Sequence, residues 1–97
     1  MQLHSGMAEE YKRRHDALWP ELKELLGQAG ILDYSIFLDE ESNMLVGVLR
    51  MEKPEKLDLL SEEAIMKKWW DYMKDIMDTH PDGSPISQPL KEVFYLP

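Results

Sequence analysis

The chain has 97 residues, 43% apolar and 31% charged, an ordinary globular mixture of one domain's length. Nineteen acidic against 11 basic residues give a formal charge of −8, which argues against binding nucleic acid or an anionic membrane surface. Without cysteine there is no disulfide scaffold, thiolate metal site or cysteine nucleophile.

A domain this small buries roughly 60–65% of the surface its unfolded chain exposes, so its core is thin and an oligomer supports it. Met1 to Gly6 lacks the basic start and apolar stretch of a signal peptide. No run approaches the ~18 apolar residues of a membrane span. The expectation is one cytoplasmic domain over residues 1–97, with no repeat or linker.

Met1 to His4 reads as the end of a strand. Ser5 suits a helix N-cap, and Glu9 and Glu10 suit the positive end of the helix dipole. Met7, Tyr11, Leu18, Leu22, Leu25, Leu26 and Ala29 follow helical spacing. Glu9–Arg13 and Glu10–Arg14 are set for i,i+4 ion pairs. Pro20 cannot donate to the Asp16 carbonyl and drives Trp19 out of the α region, so a kink or break is expected between Asp16 and Pro20. Gly27 and Gly30 end the helix.

Tyr34 to Leu38 is a predicted strand, Asp39 to Asn43 a turn, and Met44 to Met51 the second strand of a hairpin. Both hairpin faces carry apolar residues: Met44, Val46 and Val48 on one, Leu45, Leu49 and Met51 on the other. Something should therefore cover the second face. Pro54 opens a short helical piece over Glu55 to Leu60, and Ser61-Glu62-Glu63 starts a longer helix. Its wide apolar band combines Ile65, Trp69, Met73 and Ile76 with Met66, Trp70 and Met77. Asp78 to Pro89, with three of the six prolines and Gly83, is an irregular loop. Leu90 to Leu96 is a predicted last strand. The order (β)-α-β-β-α-β is the ferredoxin-like split βαβ, an α+β fold with helices on one face of an antiparallel sheet. The other face is left for a second copy.

Tyr11 and His15 lie four residues apart and share a helix face. A histidine titrates near neutral pH and suits proton transfer at either end of a reaction. The bland alternative is a partly buried histidine bonded to a backbone group. From the residues alone, Tyr11 and Tyr34 are each more simply read as core tyrosines with hydroxyls at the rim. Trp69 and Trp70 diverge by ~100° on their helix, so two surfaces must cover them. One of these is core and the other a pocket or a subunit contact. Asp71 and Asp75 read as solvated. His4 and His80 have no neighbour at metal-ligand spacing, and no phosphate loop is present.

Tyr11-Lys12-Arg13-Arg14-His15 followed by Trp19-Pro20-Glu21-Leu22 resembles the first helix of the L-rhamnose mutarotase family. Tyr34-Ser35-Ile36-Phe37-Leu38-Asp39, Trp69-Trp70-Asp71-Tyr72-Met73, Ser84-Pro85 and the ending Glu92-Val93-Phe94-Tyr95-Leu96-Pro97 resemble the same family, in the same order. The resemblance implies a homodimer of dimeric α+β barrel type that interconverts the α and β anomers of L-rhamnose without cofactor or metal. It places His15 at the proton-donor position and Tyr11, Tyr34, Trp69 and Trp70 at sugar-contacting positions. It also puts Met1 part-way along the family's first strand, so that strand is expected to be short or to begin outside the recorded residues. His80 and Gly83 depart from the family at the pocket rim. Two rival readings share the fold: a small dimeric monooxygenase and a ligand-sensing dimer without chemistry.

Overall fold

The computed structural model describes residues 1–97 as a two-layer α+β domain. The first helix, α1, covers Ala8–Asp16 and the second, α2, covers Pro20–Gln28. Pro20 is therefore the first residue of a new helix, where its missing N–H costs nothing. Trp19 before it is extended at φ −60° and ψ 132°, as a residue preceding proline must be. The expected kink is a full break. Ser5 does not cap α1: Met7 precedes the helix and no side chain caps it. Glu10 takes both arginines of the last turn, Arg13 and Arg14, leaving Glu9 out of the ion pairs. Gly27 lies inside the last turn of α2, whereas Gly30, at φ +92°, makes the reversal into the sheet.

Strand β1 runs Ile31–Asp39 and β2 runs Met44–Met51. They pair antiparallel, with Tyr34 opposite Leu49, Ile36 opposite Gly47 and Leu38 opposite Leu45. The strand starts earlier than its Tyr34–Leu38 core because Ile31 and Asp33 also find partners, across one irregularity. The turn is held by the Asp39 carboxylate, which accepts from the Glu41 N–H at 3.2 Å and the Ser42 hydroxyl at 2.9 Å. Asn43 sits there at φ 60°, a conformation its short polar side chain tolerates.

A 3-10 helix, Pro54–Glu62, and then α3, Ala64–Met73, follow. Leu22, Tyr11, Trp69, Met73, Ile76, Met77, Leu45 and Leu3 form the core, with Ile36 and Leu38 packed on it. All three α-helices thus contribute to the layer on the Ile36–Leu38–Leu45 face.

The N-terminal segment is a central element, though a short one. Gln2 bridges Met44, and Leu3 bridges Met77. The Leu45 N–H donates to the Met1 carbonyl at 2.7 Å, and the His4 N–H to the Ile76 carbonyl at 2.8 Å. The predicted last strand is not formed. Leu90 to Leu96 pairs with nothing in this chain, and Val93, Phe94, Tyr95 and Leu96 are each more than 70% exposed. A segment with strand-like composition becomes a strand only where an edge is available to receive it.

Candidate functional site

Helix α1 places Tyr11 and His15 one turn apart on its inner face, their rings stacked at 4.2 Å and 26°. Nδ1 of His15 lies 3.0 Å from the Tyr11 carbonyl. A carbonyl only accepts, so Nδ1 carries the hydrogen and Nε2 is the nitrogen left to exchange a proton. The backbone bond of a structural histidine is thus present, and it fixes the tautomer without using up Nε2. Burial pushes the His15 pKa down, while the Tyr11 carbonyl bond and the Asp16 charge pull it partly back.

Across from α1, α3 brings Trp69 edge-on to the imidazole, 5.2 Å away at 89°. Trp69 is also edge-on to Trp19 at 5.1 Å, and Tyr72 stacks on Trp19 at 5.6 Å and 28°. The helix break at Pro20 is what carries Trp19 away from α1 and onto α3. Sequence reasoning missed Trp19 and Tyr72 as members of this cluster. Tyr72 had a signal, since it lies three residues after Trp69 on one helix face. Trp19 had only its place before a proline.

Tyr34 joins from β1. A Cβ on Gly47 would lie 3.0 Å from the Tyr34 hydroxyl oxygen, so the phenol crosses the bare backbone of β2 at that glycine. Burial raises the pKa of both Tyr11 and Tyr34, and the neighbouring Tyr34 adds to the shift on Tyr11. Both hydroxyls therefore stay protonated across the neutral range and act as hydrogen-bond groups rather than bases. Trp70, half-buried, packs on the core from the adjacent helix face and makes none of these ring pairs.

Outside the cluster, Asp71 pairs with Lys74 at 2.6 Å on the surface. Asp75 is exposed, as expected, and its carboxylate also binds the guanidinium of Arg14. His4 lies 3.0 Å from an Asp78 oxygen and 3.3 Å from the Asp75 carbonyl. No three His, Asp or Glu side chains converge as metal ligands. A cavity of about 190 Å³ between the end of α2 and the 3-10 helix, lined by Leu25, Leu59 and Leu60 among others, holds no tyrosine or histidine. No helix is long and apolar enough to cross a membrane.

A family model for L-rhamnose mutarotase matches residues 1–96. An L-rhamnose mutarotase of Lachnoclostridium phytofermentans is 53% identical over 96 residues, covering 99% of this chain and 92% of that protein. One of Sinorhizobium fredii is 54% identical with the same coverage. The crystal structure of an L-rhamnose mutarotase from Formosa agariphila superposes with a TM-score of 0.91 at 50% identity, over 99% of this chain and 92% of that one.

Proposed function

The chain belongs to the L-rhamnose mutarotase family, and from that membership we propose that it interconverts the α and β anomers of L-rhamnose with His15 as its proton-transfer group. The observation that carries the residue assignment is the His15 imidazole, its Nδ1 tied to the Tyr11 carbonyl and its ring enclosed by Tyr11 and Trp69. The enzyme is an isomerase.

Anomer exchange runs through the open aldehyde. A proton reaches the ring oxygen as the C1–O bond of the ring breaks, and the anomeric hydroxyl loses its proton as C1 becomes a carbonyl. Rotation about C1–C2 and the reverse transfers close the other anomer. His15 delivers the proton to the ring oxygen and takes it back on closure. Neither Tyr11 nor Tyr34 is the acceptor of the anomeric proton, because burial keeps both hydroxyls protonated. They orient sugar hydroxyls instead, which leaves a water, passing the proton on to solvent, as acceptor. Trp69 or Trp70 supplies apolar surface to a C–H face of the sugar and its 6-methyl group. Saturation-transfer NMR of L-rhamnose tests this: the protein accelerates exchange between the two anomeric signals. An unchanged exchange rate would sink the assignment.

The pH dependence has a definite sign. The acid form of His15 is the imidazolium, and its pKa lies below the ordinary 6.5. The His15-dependent exchange rate therefore rises as pH falls toward that lowered value and declines above it. Folding carries the opposite sign, because the unfolded chain binds the proton more readily. The contribution of His15 to stability is intact above 6.5 and is lost as pH falls through the folded-state pKa. Exchange rates and urea melts on one pH series check both signs.

The working form is a homodimer in this reading. The sheet face turned away from the helices exposes Phe37 at 60%, Val48 at 52% and Met44 at 47%, and the apolar arm Leu90 to Leu96 lies unpaired beside the domain. A second copy offers both a cover for that face and an edge for the arm. Sedimentation at micromolar concentration is expected to give twice the 11.4 kDa chain mass. A stable monomer would overturn the dimer. The cytoplasm is the compartment we assign, to be checked by cell fractionation.

A further inference from the structure

We propose that Arg14 is a positioning residue for the acid–base site: by tying α1 to the end of α3 it holds Tyr72 behind Trp69 and Trp69 against His15. This rests on the reading of His15 as the proton-transfer group.

Arg14 has only 10% of its side chain exposed, although its neighbours Lys12 and Arg13 stand largely in water. A guanidinium taken out of solvent is costly unless its donors are used. Here they are. One terminal nitrogen donates to an Asp75 oxygen at 2.8 Å and to the Tyr72 carbonyl at 2.8 Å. The other reaches the second Asp75 oxygen at 3.2 Å, and Nε faces Glu10 at 3.4 Å. The guanidinium carbon also sits 4.6 Å above the Tyr72 ring. This planar fork, placed where the α3 dipole favours a cation, is a geometry that lysine cannot reproduce.

The consequence for the site follows from continuity. Successive helical residues point ~100° apart, so Arg14 reaches the end of α3 while His15, next in the chain, faces the flank of α3. From the guanidinium the contacts run through Tyr72 to Trp69 at 5.7 Å and on to the imidazole at 5.2 Å. Trp19 packs against both Tyr72 and Trp69. Loosening the clamp frees α3 to move relative to α1, and water gains the side of His15 that Trp69 covers. Positional errors of about 1 Å can cost up to 10²-fold in rate.

The test uses Arg14→Lys and Asp75→Asn in the full chain. Arg14→Lys keeps the charge and loses the fork. Asp75→Asn removes an exposed carboxylate and folds even if the lysine variant does not. The groups about His15 are Tyr11 and Asp16 on α1, Tyr34 on β1 beside Tyr11, and Tyr72 behind Trp69; neither variant substitutes any of them. Each variant is expected to slow anomer exchange about 10-fold and to move the His15 titration, followed by ring-proton NMR, up toward an ordinary imidazole. For Asp75→Asn, charge alone predicts the opposite direction, because a lost negative charge lowers a histidine pKa. A downward shift there, or wild-type exchange and titration in either folded variant, overturns the proposal. So does a lowered melting temperature with rate and titration unchanged. If the wild-type protein fails to accelerate L-rhamnose exchange, the functional reading falls, and the His15 titration alone still decides whether Arg14 positions the ring.

Discussion

His15→Ala abolishes most of the catalysed anomer exchange and leaves the chain folded. General acid–base groups contribute typically 10²–10⁴-fold, and the imidazole is the one group of the ring cluster whose ordinary pKa is close to neutrality. Tyr11 and Tyr34 cannot replace it, since burial raises both hydroxyls further from neutrality. The fold survives because alanine is the best helix former and His15 lies at the end of α1, outside the fully buried core. What it loses is one bond to the Tyr11 carbonyl and two ring contacts. Tyr11→Phe is milder, because it removes a hydroxyl and keeps the stacked ring. Saturation-transfer NMR beside a circular dichroism melt reads both quantities. A folded and fully active His15→Ala protein would show that the backbone bond to Tyr11 is the whole purpose of this histidine.

Trp69→Ala costs the fold about 3–5 kcal/mol, the range for deleting a large buried aromatic. That is a large share of the roughly 5–15 kcal/mol that holds a domain together, and the core here is small. Trp69 is 6% exposed and touches His15, Trp19 and Tyr72 at once. Its removal opens a cavity and unseats the imidazole together. Trp69→Phe separates the two effects: most of the volume stays, the fold holds, and exchange slows because the ring no longer spans from Trp19 to His15. Trp70→Ala costs less, since that ring is only half-buried. Urea melts rank the three variants. A Trp69→Ala protein as stable as Trp70→Ala would contradict the packing described for α3.

Much of the site was legible in the sequence because it is local. Tyr11 and His15 share a face by helical spacing alone, and the two tryptophans declare a helix covered on two sides. Pro20 dictates a break wherever it falls, since a missing N–H and a forced φ are properties of the residue itself. The hairpin needed only two apolar strands around a polar turn, and its two-faced pattern already indicated a surface left to be covered.

Other features depend on partners distant in the chain. Arg14 looked like an i,i+4 partner of Glu10; its main anchor, Asp75, lies 61 residues away. Trp19 enters the ring cluster only because the broken helix folds back onto α3. Met1 to His4 reads as the end of a strand, but its central place depends on Met44 and Met77, which receive it on either side. Leu90 to Leu96 is as strand-like in composition as any segment and is not a strand here. Composition and spacing determined which segments favour helix or strand and which side chains share a face, because these are preferences of single residues and their near neighbours. Only the tertiary structure decided which strand finds an edge and which charge finds its counter-ion, because backbone hydrogen bonds and ion pairs need a partner that no local pattern can supply.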